Sequence, residues 1–127
     1  MSGPRSLRSL RGATTASANS AEAIAEAVAE LLDALVERNG LEGSQVLSIT
    51  FSVTADLNAC FPAAIARRRP GWDGVALLDC QQMAVEGDLP RCIRLLAHAW
   101  MQEQQPARHA YLREAARLRP DLAGQNS

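Results

Sequence analysis

The chain contains no lysine: all 13 of its basic residues are arginine, set against 14 acids for a net charge of −1. That absence excludes several chemistries at once. No Schiff-base or pyridoxal-phosphate lysine is available, and no Walker-type phosphate loop can be built. The near-neutral balance, with a pI of about 6.1, argues against nucleic acid as a partner, because such binding rests on counterion release from a basic surface. Cysteine is scarce. Cys60, Cys80 and Cys92 show no CxxC spacing, which speaks against a zinc site or a disulfide frame and for reduced thiols in the cytoplasm. Two histidines, His98 and His109, are too few for a histidine-rich metal centre. No run approaches the about 18 apolar residues of a membrane span, so no membrane partner is expected. Residues 1–21 hold three arginines, many serines and no acid, a composition that suits a transit peptide. An ordered pattern already begins near Leu10, so we read this segment as the mature start.

What is present fits one domain, residues 1–127, with one core. Residues 19–40 are the clearest element. Ile24, Ala27, Val28, Leu31, Leu32 and Leu35 recur at helical spacing, while Glu22, Glu26, Glu30, Asp33 and Glu37 take the other faces. Asn19 is positioned to cap this helix with Glu22 completing a capping box, and Gly40 follows its last turn. Residues 46–53 switch to period two, with Leu47, Ile49, Phe51 and Val53 on one face, which predicts a strand with one buried side. Pro62 fits the first turn of a short helix over 62–69. Val75–Leu78 reads as a short buried strand, and Cys92–Trp100 as another strand, although its pattern also suits a helix. Residues 107–118 are ambiguous, with helical propensity in a short stretch ending at Arg119-Pro120. Residues 120–127 read as a flexible tail. The pattern predicts an α+β fold, mostly strands with one long helix on a face.

Few routes to catalysis remain. Arg67-Arg68-Arg69 is the densest basic run, but at helical spacing its members spread around the axis. Arg94 sits mid-strand among apolar neighbours, where an unpaired charge is costly. It is either one half of a buried ion pair or a guanidinium facing a cavity for an anionic ligand. Arg11 precedes the small-residue stretch Gly12-Ala13-Thr14-Thr15, where backbone can approach closely. Tyr111 is the only tyrosine, and Asp79 ends an apolar run where strands often present polar groups to a pocket. Cys80, Cys92 and Met83 read as core fillers. The residues support a pocket for a small anion walled by arginine and do not name the anion.

Arg11-Gly12-Ala13-Thr14-Thr15, followed by an acidic amphipathic helix, resembles the opening of the AroH-type chorismate mutases, the trimeric bacterial class. The likeness continues through Thr54-Ala55-Asp56-Leu57, Ala59-Cys60-Phe61-Pro62-Ala63, Gly71-Trp72, Leu89-Pro90-Arg91-Cys92-Ile93-Arg94, Arg108-His109-Ala110-Tyr111-Leu112 and Leu118-Arg119-Pro120-Asp121-Leu122. Any one block is weak, but the ordered set is specific. The resemblance implies a mixed sheet with helices on one face, assembled into a trimeric pseudo α/β-barrel. It implies rearrangement of chorismate to prephenate on the way to phenylalanine and tyrosine, with no cofactor, no metal and no covalent intermediate. Arg94 would donate to the enol-ether oxygen and a carboxylate, Arg11 to a substrate carboxylate, and Tyr111 a further hydrogen bond. Phe61, Ala63, Arg67, Leu77, Leu78, Gln82, Leu118 and Arg119 would complete the wall, part of it from a neighbouring subunit.

The chain departs from the family pattern in two places. Many relatives carry a glutamate for the substrate hydroxyl three residues after a cysteine; here those positions are Gln82 and Asp79. The resemblance therefore makes Asp79 the expected acceptor of the ring hydroxyl, with Gln82 as an uncharged neighbour. The family's lysine in the Phe-Pro-Ala-Lys block is Ala64. Two other functions fit a trimeric architecture: a Rid-type enamine/imine deaminase, whose arginine clamps a carboxylate, and a non-catalytic small-anion-binding trimer. The Arg11, Tyr111 and Arg119 blocks argue against the deaminase.

Overall fold

The computed structural model describes residues 3–123. Five strands make one mixed sheet in the order β3-β2-β4-β1-β5. They are β1 (Arg5–Thr15), β2 (Val46–Val53), β3 (Ala76–Gln81), β4 (Cys92–Gln102) and β5 (Ala110–Tyr111). β4 runs down the middle, antiparallel to both β1 and β2, while β3 and β5 add in parallel at the two edges. Helix α1 (Ala21–Asn39) crosses one face with the shorter α2 (Pro62–Arg67) beside it, and α3 (Pro120–Ala123) follows a 3₁₀ turn at Arg113–Arg117. The α+β class is the one the periodicities predict.

The core lies between α1 and the sheet. Ile24, Ala27, Val28, Leu31, Leu32 and Leu35 are fully buried against Leu10, Ile49, Phe51, Ile93 and Ala97, each large aliphatic side chain contributing about 1.5–3 kcal/mol. Gly12 lets the layers close. A Cβ there would lie 3.2 Å from both Leu31 Cδ1 and the Ala110 carbonyl oxygen, so the helix and β5 can approach β1 only over a glycine. Gly40 ends α1 in the left-handed conformation, its N–H donating to the Val36 carbonyl.

Several expectations are corrected. The N-cap of α1 is Ser20, whose Oγ accepts from the Ala23 N–H at 3.1 Å. Asn19 instead accepts from the Asn58 and Ala59 N–H groups, and with the cap moved one residue the box with Glu22 does not form. Leu47 is 49% exposed rather than buried. A bulge between Val46 and Ser48 inserts one residue and flips the phase, so Val46 takes the inward position. β3 is an edge strand, mostly exposed, and runs on to Gln81 instead of ending buried at Leu78. The stretch 107–118 is no α-helix. Ala110 and Tyr111 pair with Gly12 and Ala13, and Arg113, at φ 52, turns the chain into 3₁₀ geometry while its guanidinium reaches Glu30 and the Thr15 carbonyl, each at 3.0 Å. Of the expected tail, Pro120–Ala123 is a helical turn, because Pro120 suits a first helical turn and Leu122 packs on the cluster around Tyr111; residues 124–127 lie outside the described residues.

Candidate active site

One row of residues crosses the whole sheet on the side away from α1. Cys80 pairs with Ser52, Ser52 with Arg94, Arg94 with Ala13 and Ala13 with Tyr111, and directly paired residues share a face. Arg11 lies two residues back along β1 and so on the same face. Gln82, just past β3, joins the row through its side-chain oxygen, which accepts from Ser52 Oγ at 2.6 Å. Leu118 packs with Leu89 and Leu122 around Ala13, Tyr111 and Ala115. Arg119 stands nearby in a local ion pair with Asp121 at 2.9 Å. Arg94, Arg11, Tyr111, Gln82, Leu118 and Arg119 therefore form one group, built mainly on the central strands.

For Arg94, of the two alternatives its sequence context posed, the structure shows the ion pair. Its Nη2 donates to Asp88 Oδ1 at 3.0 Å, with the two side chains 31% and 22% exposed. Its Nε is buried and, among the described residues, has no hydrogen-bond partner. Burial works against the guanidinium charge, but the Cys92 thiol and the Asp88 carboxylate outweigh it and hold the proton more firmly than usual. An unsatisfied charged donor in a partly dry setting is costly unless a ligand accepts from it.

The remaining candidates point elsewhere. Asp79 pairs with Phe51, one step along from Ser52, so it projects from the opposite face. Its carboxylate accepts from the Ala63 N–H at 3.0 Å, at the start of α2. Burial raises its pKa above the usual carboxylate range, opposed by that hydrogen bond and by the Arg67 charge. Ionised Asp79 is thus destabilised by its setting at neutral pH, and the penalty is relieved as pH falls through the raised value. Phe61 and Asp79 border a cleft of about 610 Å³ whose lining contains no arginine. Ala63 is buried in α2 and Arg67 exposed at its end; Leu77 packs toward the core and Leu78 is 61% exposed on the other face. A single chain brings Asp79, Phe61, Ala63 and Arg67 together, and Arg94 with Arg11 and Tyr111, but it does not bring the two groups to one surface.

Three contacts were not singled out from sequence: Asp88 on Arg94, Ser52 on Gln82, and His109, whose Nδ1 accepts from the Arg11 N–H at 2.9 Å. A buried arginine signals that some acid pairs with it, yet with 14 acids the pattern cannot choose which. Among the described residues no cluster of histidine, cysteine and acid could hold a metal ion, and no helix is long and apolar enough to cross a membrane.

The sheet with its long covering helix is the fold of a chorismate mutase: the solved structure of one from Clostridium thermocellum is similar with a TM-score of 0.79 and 40% identity, over 85% of this chain and 96% of that one. The sequence sharpens the likeness. The model of the family "Chorismate mutase type I" matches residues 7–122, and the chain belongs to this family. It is 45% identical over 119 residues to Chorismate mutase AroH of Thermus thermophilus, covering 91% of this chain and 96% of that protein. It is 36% identical over 118 residues to Chorismate mutase AroH of Bacillus subtilis, covering 92% and 93% respectively. The resemblance read from the ordered blocks is therefore upheld.

Proposed function

We propose that this chorismate mutase converts chorismate to prephenate in the cytoplasm, for phenylalanine and tyrosine synthesis, as a homotrimer whose sites are completed between subunits. The observation that carries the mechanism is the buried Nε of Arg94, which has no hydrogen-bond partner among the described residues. In the rearrangement the ether C–O bond breaks and a C–C bond forms within one molecule, with no atom gained or lost. When C–O cleavage leads, negative charge grows on the ether oxygen, and a guanidinium fixed beforehand stabilises it without reorganising. Arg94 takes that oxygen and a carboxylate, Arg11 the other carboxylate, and Tyr111 adds a hydrogen bond at the same end. Holding the dianion in its compact conformer supplies the orientation. No proton is transferred, consistent with a site centred on guanidinium groups.

Two features support assembly. The arginine-bearing group and the Asp79–Phe61 cleft lie on opposite faces of one chain, so each needs a complement. The face away from α1 also leaves Leu7, Leu78, Leu96 and Trp100 between 42% and 61% exposed, large apolar side chains of the kind that line interaction surfaces. In the trimer, Asp79 and Phe61 of one subunit meet Arg94 of the next, with Asp79 accepting from the ring hydroxyl and Gln82, Ala63, Arg67, Leu77, Leu78, Leu118 and Arg119 completing the wall. The test is direct: loss of chorismate absorbance with appearance of prephenate. R94A is expected to slow turnover by about 10²–10³, the scale of one lost preorganised donor. Wild-type turnover in R94A would overturn the role of Arg94.

A further inference from the structure

The turn that feeds β4 sets a carboxylate on the reactive guanidinium before any substrate arrives. Asp88 Oδ1 accepts from Arg94 Nη2 at 3.0 Å and also from the Leu89 N–H at 2.8 Å. The Asp88 N–H closes the turn on the Val85 carbonyl at 3.0 Å, and Gly87 holds a left-handed φ of 83. The acid is therefore fixed by its own backbone and is no mobile surface group. Cys92 lies against the same guanidinium. Nη2 is thus held by the carboxylate, while the buried Nε beside it on the same fork has no hydrogen-bond partner among the described residues.

We propose that Asp88 is the positioning counter-ion of Arg94: it fixes the guanidinium plane in the free enzyme and weakens ground-state binding of the dianionic substrate. This rests on the assignment of Arg94 to the site. The two effects act on different kinetic constants. A preorganised donor acts on the transition state and appears in kcat, whereas a negative charge beside an anion site opposes bound substrate and transition state alike and appears in KM. Asn at this position keeps an acceptor oxygen for Nη2 but removes the charge. Ala removes both.

The experiment measures kcat, KM for chorismate and the thermal midpoint for wild type, D88N, D88A and R94A. D88N is expected to lower KM about fivefold, the scale of one unit charge removed near a partly exposed ion, with kcat reduced by no more than about threefold. D88A is expected to lose about tenfold in kcat as the guanidinium loses its anchor. An acid that merely builds the turn would depress the thermal midpoint and raise KM in both variants, and that result overturns the proposal. So does a D88A enzyme with wild-type kcat. If R94A is slow while both Asp88 variants match wild type, the counter-ion role alone fails; if R94A turns over normally, the site assignment falls and this inference with it.

Discussion

His109 works by staying uncharged. Burial pushes its pKa down, and the nearby Arg11 and Arg119 charges push it further. Its Nδ1 accepts from the Arg11 backbone N–H, a role that a protonated ring nitrogen cannot fill. Because the folded value lies below the ordinary 6.5, the neutral imidazole favours the folded state. That contribution is complete above 6.5 and is lost as pH falls through the depressed folded value. Below about pH 6 the wild type should therefore lose thermal stability and kcat/KM together. In H109Q, which offers an acceptor that does not titrate, the acid fall should be shallower; parallel profiles for the two proteins would exclude His109 as its source. At this scale the sequence showed Arg94 by its charge in an apolar strand. It could not show Asp88 or His109, because their meaning lies in one hydrogen bond each to a residue placed by the fold.

Among the elements, the 3₁₀ turn at Gly43–Gln45 is the tightest joint. A Cβ on Gly43 would collide with the Gly71 carbonyl and lie 2.6 Å from the Trp72 ring. One obstacle is backbone and the other a buried indole, so neither yields cheaply. G43A should lose about 2 kcal/mol, within the usual range for overpacking, read as a lower urea midpoint at constant m-value. Unchanged stability would show that the loop relaxes freely. The same joint precedes β2, where legibility in the sequence broke down. The alternation of 46–53 is real, yet one bulged residue was enough to send Leu47 outward. α1 was legible because nineteen residues of helical period outweigh a cap displaced by one. β5 was not, since a pair of residues carries no period, and its existence depends on Gly12 and Ala13 offering an open edge.

At the level of the whole molecule, the sheet itself divides the chemistry. The ordered blocks along the chain indicated nearly all the candidate residues, but whether they share a surface is decided by strand pairing, which places Ser52 opposite Arg94 and Phe51 opposite Asp79. Complementation tests the division. R94A and D79A, each impaired alone, should recover activity when unfolded together and refolded as mixed assemblies. If the protein is the proposed trimer and each site draws Arg94 and Asp79 from different subunits, random mixing of equal amounts leaves about a quarter of the interfaces with both native halves. Recovery near that level supports shared sites. Mixtures no more active than the separate variants would mean that each chain carries its own.

The central place of β4, paired along both edges to β1 and β2, bears finally on how the enzyme fails. Local opening begins at frayed ends and solvent-facing loops, while doubly flanked strands let go only with the whole domain. Arg94 sits on such a strand, so its backbone cannot drift out of register while the rest of the domain holds. On heating, the seat of this guanidinium and the fold itself are lost in one event.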